Sequence, residues 1–133
     1  GFKNLIQDPS IFFNKNKHTI KLHFDMHHGY GNISKAANLL PENDRCEFLE
    51  YINTSGSFHP HIMVIAKPHI LNAWFNNLFP WLARCEEVFG FKKLQGYDTQ
   101  RLYAFLAERY LSFWFRKYTD YTAWPWIFLD FKK

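Results

Sequence analysis

The densest group of residues able to do chemistry lies in the segment 23–31, which holds His23, Asp25, His27, His28 and two glycines. Imidazole and carboxylate groups ligate divalent cations, and glycine allows the backbone to approach a phosphate closely. The segment is therefore either a ligand-facing loop, with His23 and Asp25 as binding residues, or a surface loop whose side chains bond the backbone. Ligation of a metal is the weaker interpretation, and no metal site is predicted.

A single carboxylate, Glu108, interrupts the predicted helix Thr99–Lys117, which is apolar nearly all round. Such a carboxylate is costly to bury unless a partner compensates its charge. Arg101 lies two turns earlier on the same side, and Arg109 is adjacent. Glu108 is thus either a general base or clamp for an acceptor hydroxyl, or a member of a structural ion pair.

Two histidines, His59 and His61, flank Pro60 just before the apolar run His61–Ala66. Alternation places both imidazoles on one face of a strand, and strand ends are common positions for site residues. The alternative is that both pack over the helix that Pro68 begins.

Five tryptophans divide into two groups. Those at helical spacing are expected in the core, and they are Trp74, Trp81 and Trp114. Trp124 and Trp126 alternate in the strand-like tail Thr122–Phe131, which Pro125 restricts to a sheet edge. These two are the better candidates for stacking on a ligand or a partner.

The helices and strands that must position these residues follow from the apolar periodicity and from the residues that begin or end such elements. Residues 1–17 show no clear period and predict a short turn or helix. His18–Phe24 alternates as a strand does, and residues 25–32 read as a loop. Helices are predicted over Ile33–Leu40, from Asn43 or Asp44 to Ser55, over Pro68–Phe89 with a kink or split at Pro80, and over Thr99–Lys117 with Asp98 as its cap. A buried strand is predicted over His61–Ala66.

These elements amount to one α+β domain spanning 1–133, dominated by helices, with three or four short strands. The 133 residues are 47% hydrophobic and 20% aromatic, which excludes a disordered chain. The net charge of +4 comes from scattered basic residues, so no nucleic-acid interface is predicted. Two cysteines without metal-type spacing predict buried, reduced thiols, and no apolar run is long enough to span a bilayer.

Three passages together resemble a known family. They are Ile20 to His28, His61 to Lys67 with the helix that follows, and Gln100 to Leu111. Their order and spacing are similar to the C-terminal half of an uncharacterised-domain family of bacterial capsule and exopolysaccharide gene clusters, generally taken to be glycosyltransferases.

The motifs of that family match in part. A His-aromatic pair followed four residues later by a second His matches His23, Phe24 and His28. The block Gly-Phe-Leu-x-Glu-Arg-Leu matches Ala104–Tyr110, with Ala replacing the Gly and Tyr replacing the Leu. An Asn that usually opens the second passage is His61 here. The resemblance covers roughly residues 18 to 130.

The resemblance implies the C-terminal part of a Rossmann-like, nucleotide-sugar-dependent glycosyltransferase that is cytoplasmic, with association at the inner face of the membrane as a further expectation. The family's nucleotide-facing half and an Asp-x-Asp motif are not found in this sequence. We therefore expect no cofactor within this chain, Mn or Mg in the complete enzyme at most, and an inactive fragment on its own. Its partners are then a nucleotide sugar and a glycan acceptor.

For this function, Glu108 and His28 are the expected catalytic residues. His23, Asp25, His61, Arg101, Trp124 and Trp126 are the expected substrate contacts. Glu108, His28 and His61 are predicted to converge on one concave site. The alternatives are a non-catalytic module that binds glycan or assembles with a partner, and a domain that docks on a membrane surface.

Overall fold

The structure is a computed structural model that describes residues 4–7, 10–11 and 19–125. This part of the chain forms six helices and five short strands. The helices are α1 Ile20–His28, α2 Asn32–Ala37, α3 Glu42–Thr54, α4 Pro68–Phe89, α5 Tyr97–Gln100 and α6 Leu102–Tyr118. The strands are β1 Asn4–Gln7, β2 Ser10–Ile11, β3 Ser57–Phe58, β4 Val64–Ile65 and β5 Tyr121–Trp124.

The first helix overturns the predicted strand His18–Phe24 and the loop after it. Thr19 caps α1 by accepting a 3.1 Å hydrogen bond from the N–H of Leu22. Ile20, Phe24 and His28 recur every four residues and are all buried. The helix ends at Gly29, whose φ of 104° suits glycine.

Helices α4 and α6 pack against each other and bury the three tryptophans expected in the core, Trp74, Trp81 and Trp114. The Trp74 ring lies 5.4 Å from that of Tyr110 and 5.5 Å from that of Trp114. Trp81 is fully buried and donates a 2.7 Å hydrogen bond to the carbonyl of Ala36. The bounds predicted for α4 are confirmed, and the helix continues through Pro80 without splitting.

The start of the last helix differs from the prediction. Residues Tyr97–Gln100 form the separate short helix α5, and α6 begins at Leu102. Asp98 therefore lies inside α5 and does not cap α6. Helix α6 is buried centrally, because ten of its residues are buried.

Helix α3 meets α6 through a buried carboxylate. Asp44 is 1% exposed, pairs with Lys117 Nζ at 2.8 Å and accepts hydrogen bonds from the hydroxyls of Tyr110 and Tyr118. Asp44 thus packs inward with Phe48 and Ile52. Cys46, expected on this inner side as a buried thiol, is exposed, whereas Cys85 is buried.

Two small sheets complete the fold. The first has the order β4-β1-β5, with β1 antiparallel to β4 and parallel to β5. The second pairs β2 with β3. Residues 4–7 and 10–11 are therefore strands and not a turn or helix, and β5 lies at an edge of the sheet that the described residues form, as predicted.

The predicted buried strand His61–Ala66 is wrong. Only Val64–Ile65 is a strand, and Met63 and Ile65 are 53% and 62% exposed. The architecture is α+β with helices dominant, as expected. No helix in the described ranges is long and apolar enough to cross a membrane.

Candidate functional site

A buried guanidinium, that of Arg109, connects three parts of the chain. Its side chain is only 3% exposed. Nη1 donates to the carbonyl of Phe105 at 3.2 Å, and Nη2 lies 3.4 Å from Nδ1 of His23 and 3.5 Å from Nε2 of His28. Nη1 also lies 4.0 Å from Oε1 of Glu108, at the outer limit of an ion pair. Arg109 thus joins α1 to α6.

Aromatic rings surround this cation. The guanidinium carbon lies 4.2 Å from the ring centre of Phe58 and 5.1 Å from that of Phe24. Burial lowers the pKa of Arg109 to about 10, so the group stays charged at neutral pH. Its Nε is buried without a hydrogen-bond partner among the described residues. The positive charge is therefore held mainly by ring faces and imidazole nitrogens.

The contacts of His28 determine its tautomer. Nδ1 lies 3.1 Å from the carbonyl oxygen of Asp98, and a carbonyl only accepts, so Nδ1 carries the proton. The lone pair of Nε2 then faces Arg109. The ring stacks on Phe105 at 3.9 Å, and burial, with Arg109 as the second cause, lowers the pKa of His28 to about 4. At neutral pH, His28 accepts from Arg109 and orients it.

Glu108 holds the loop that follows β3. Its Oε2 accepts a 2.7 Å hydrogen bond from the backbone N–H of His61. The φ of His61 is 61°, in the left-handed region that non-glycine residues seldom adopt. Among the described residues, Oε1 of Glu108 has only the 4.0 Å approach of Arg109, and the side chain is 14% exposed. One carboxylate oxygen thus keeps most of its capacity to accept from a ligand.

The segment 57–61 runs along one face of α6. The N–H of His59 donates to Oγ of Ser112 at 2.8 Å, and that of His61 donates to Glu108 at 2.7 Å. Glu108 and Ser112 are four positions apart on α6, so their side chains lie on one face about one turn apart. The segment therefore bonds the helix at successive turns.

The structure therefore brings four of the expected site residues into one network. Glu108 bonds His61 directly, and Arg109 connects Glu108 with His28 and His23. We call this set the Arg109 network. The roles expected for its members in binding or catalysis stay predictions.

Two other expected site residues have different surroundings. Asp25 pairs with Lys21 at 2.7 Å, and its other oxygen accepts from the N–H of Gly31 at 3.0 Å. Asp25 thus fixes the turn between α1 and α2. Arg101 donates a 2.6 Å hydrogen bond to the hydroxyl of Tyr97 and is exposed.

The segment 23–31 does not fit a metal ion. Both carboxylate oxygens of Asp25 are engaged, and Nδ1 and Nε2 of His28 face Asp98 and Arg109. No group of three or more His, Cys, Asp or Glu in the described part of the chain could hold a metal ion.

Trp124 lies in an apolar groove of about 390 Å³ against the three-stranded sheet. The described residues of this groove are Leu5, Ile6, Ile62, Met63, Val64, Ile65, Trp124 and Pro125. Trp124 is 62% exposed, and the ligand or partner contact expected of it stays a prediction. Trp126, the other tryptophan expected there, lies outside the described residues.

A second cavity, of about 310 Å³, was not predicted from the sequence. It lies between α3, β3, α6 and β5, and we call it the hydroxyl cavity. Its described lining is Tyr51, Ser55, Ser57, Phe58, His59, Ser112, Arg116, Tyr121 and Ala123. A signal was present, because Glu108, Ser112 and Arg116 are polar residues at four-residue spacing in a helix otherwise rich in apolar residues.

The comparisons with known proteins give a family and no function. No curated protein and no solved structure matches the chain. A family model described as a domain of unknown function, DUF4422, matches residues 2–119. This match includes the whole Arg109 network and ends before β5. The chain belongs to the DUF4422 family of domains of unknown function.

Proposed function

We propose that this domain is part of a nucleotide-sugar-dependent glycosyltransferase of bacterial surface-polysaccharide biosynthesis. Membership of the DUF4422 family names no activity. The observation that carries the proposal is the Arg109 network, in which a partly exposed carboxylate is held beside a cation and two imidazoles. The resemblance of the three sequence passages supports the same function.

The chemistry of sugar transfer explains what such a network would do. The acceptor hydroxyl must lose a proton, and the leaving diphosphate must be neutralised. Oε1 of Glu108 is the group that can accept from a hydroxyl, because Oε2 is bonded to His61. Glu108 is accordingly proposed as the general base or the clamp for the acceptor.

Arg109 and His28 act through Glu108 in this proposal. Both are buried, so they are positioning residues. The proton on Nδ1 of His28 fixes the ring, the ring orients Arg109, and Nη1 of Arg109 lies 4.0 Å from Oε1 of the adjacent Glu108. Basic groups for the diphosphate would come from another part of the complete enzyme.

The decisive experiment uses the full-length gene product that contains this domain. Release of nucleoside diphosphate is measured over a panel of uridine and guanosine diphosphate sugars, with a surface-glycan extract as acceptor. Glu108→Gln is expected to abolish release while the thermal midpoint stays within a few degrees of the wild type. Glu87→Gln, at an exposed position on α4, is the matched control.

Retained turnover in Glu108→Gln would contradict the assignment of Glu108. Absence of release with every donor in the wild-type protein would contradict the proposed function itself. The domain alone is expected to bind nucleotide sugars weakly or not at all, even with Mn²⁺. A micromolar affinity by calorimetry would show that the donor site lies in this chain.

A second candidate function, docking on a membrane surface, is favoured by the apolar groove around Trp124. Ile62, Met63, Ile65 and Trp124 are all more than 40% exposed there, and the net charge is +4. Co-sedimentation with anionic and zwitterionic vesicles tests it. Binding to anionic vesicles that is lost in Trp124→Ser would support docking, and equal sedimentation of the two proteins would reject it.

A further inference from the structure

We infer that the hydroxyl cavity binds a small hydroxylated ligand that carries an oxyanion, a phosphate or a carboxylate, with Arg116 as its charge partner. This site is distinct from the Arg109 network. The inference does not depend on the proposed glycosyltransferase function, since it concerns binding by this chain alone.

The charge of the cavity carries the first step. Arg116 is the only Lys, Arg, Asp or Glu among the described residues of its lining. The guanidinium forms no ion pair within 4.0 Å in the described part of the chain. A guanidinium that is exposed and not paired presents donors in a planar fork that matches an oxyanion. The cavity therefore favours an anion over a cation.

Two carboxylates also lie near Arg116, outside the hydroxyl cavity. Glu47 and Glu50 line an adjoining cavity that Arg116 also lines. Glu47 pairs with Lys117 Nζ at 3.2 Å, which leaves its charge partly compensated. An anion entering the hydroxyl cavity would thus meet the guanidinium without displacing an existing ion pair.

The hydroxyl groups carry the second step. Ser57 Oγ and Tyr121 Oη form no hydrogen bond with other described residues, although both residues line the cavity. Tyr51 donates to the carbonyl of Ser57 at 3.5 Å, the limit of a hydrogen bond, and burial raises its pKa to about 12. The hydroxyl of Tyr51 therefore keeps its proton. All three hydroxyls can donate to an oxyanion or exchange bonds with sugar hydroxyls.

The walls of the cavity are held in place. The hydroxyl oxygen of Ser112 accepts a 2.8 Å hydrogen bond from the backbone N–H of His59, and His59 is 8% exposed. The His59 ring lies edge-on to Tyr121 at 5.5 Å, which positions the tyrosine. Ser55 Oγ donates to the carbonyl of Ser57 at 2.9 Å and fixes the entry to β3. A site fixed before binding loses less entropy when the ligand enters.

The size of the cavity limits the ligand. Its volume of about 310 Å³ lies at the lower end of the roughly 300–1,000 Å³ typical of ligand pockets. A monosaccharide with one anionic group is of suitable size, and an intact nucleotide sugar is larger. The ligand class is therefore a sugar phosphate or a uronic acid.

The test measures binding to the purified chain by calorimetry with glucose 1-phosphate, glucuronate and neutral glucose. Saturable binding of at least one anionic sugar, weakened by added salt, is expected, and glucose is expected to bind at least ten-fold more weakly. The stronger of the two anions identifies phosphate or carboxylate as the group recognised. Failure of both anions to bind would overturn the inference.

Substitutions locate the site. Arg116→Gln is expected to weaken binding at least ten-fold, about 1.4 kcal/mol. Lys93→Gln, which removes an exposed charge outside the cavity, should leave the affinity unchanged. Amide NMR shifts of Ser57, Ser112 and Tyr121 should move on titration. Equal affinities for wild type and Arg116→Gln, or shifts that avoid these residues, would contradict the assignment.

Discussion

The backbone N–H of His61 and the carboxylate of Glu108 are joined by a 2.7 Å hydrogen bond across 47 positions of the chain. The donor residue has a φ of 61°, so its backbone stays in an uncommon conformation. Charge-assisted hydrogen bonds of this length are stronger than neutral ones. The hydrogen bond from Glu108 thus offsets the cost of the uncommon backbone conformation at His61. Strained residues at functional sites persist when surrounding contacts hold them in this way.

This pair predicts a difference between two substitutions of His61. His61→Gly and His61→Ala both remove the imidazole, but only alanine retains a Cβ in the left-handed region. His61→Gly should be more stable than His61→Ala by about 1 kcal/mol. Urea denaturation measures the difference. Equal stabilities would mean that the backbone at this position relaxes away from the left-handed conformation.

Arg109 predicts an unusual order of stabilities among its variants. Arg109→Lys keeps a charge but loses the flat contact with Phe58, at 4.2 Å, and the fork that reaches His23 and His28. Arg109→Met fills similar space without a buried charge, and replacing buried ions with apolar groups is often neutral. The methionine variant should therefore be more stable than the lysine variant, by about 1–3 kcal/mol.

Thermal and urea unfolding of both variants decide this order. A lysine variant as stable as the wild type would contradict the account of Arg109 as a cation held by ring faces. In the full-length protein, both variants should lower turnover, since each removes the guanidinium that lies between Glu108 and His28 and positions them.

The helices could be predicted from the sequence where the apolar spacing agrees with the residues that begin and end a helix. Pro68 and Gly90 mark the ends of α4, and its apolar face gives the correct period. Helix α1 was missed because its third buried position is a histidine. Without His28, the pair Ile20 and Phe24 reads equally well as part of an alternating strand, and Leu22, which completes that alternation, is 42% exposed.

The buried strand predicted over His61–Ala66 was wrong for the opposite reason, since here apolar residues are exposed. Its apolar residues predicted burial, but Met63 and Ile65 face the groove beside Trp124 and stay exposed. An apolar run cannot distinguish a core strand from a strand that lines a surface groove. The hydroxyl cavity was missed because Tyr51, Ser55 and Ser57 line a common cavity only when β3 lies against α6, and the sequence alone does not show that packing.

The core of the domain predicts different outcomes for two leucines. Leu106 on α6 is 0% exposed, whereas Leu22 on α1 is 42% exposed. Leu106→Ala should lower the free energy of unfolding by about 2–5 kcal/mol, because it leaves a cavity in packed surroundings. Leu22→Ala, the same chemical change, should lower it by less than about 1 kcal/mol. Similar losses for both would contradict the assignment of α6 to the core.

The last prediction concerns the pH dependence of stability at His28. Its pKa is lowered from 6.5 to about 4 in the folded protein, first by burial and then by the charge of Arg109. Between these two pH values, the unfolded chain takes up a proton that the folded chain does not. The free energy of unfolding should therefore fall as the pH falls from about 6.5 to about 4, by at most about 3 kcal/mol from this residue. Above about pH 7, His28 contributes no pH dependence.

Urea denaturation of wild type and His28→Gln at several pH values isolates this contribution, since other acid-titrating groups are common to both proteins. The variant should be the less stable at pH 7, because it loses the stacking on Phe105, and the gap should narrow as the pH falls toward 4. His69→Gln, at an exposed position on α4, is the control. If the gap between wild type and His28→Gln also stays constant from pH 7 to 4, then His28 takes up its proton in the folded protein as readily as in the unfolded one, and Arg109 does not face a neutral imidazole.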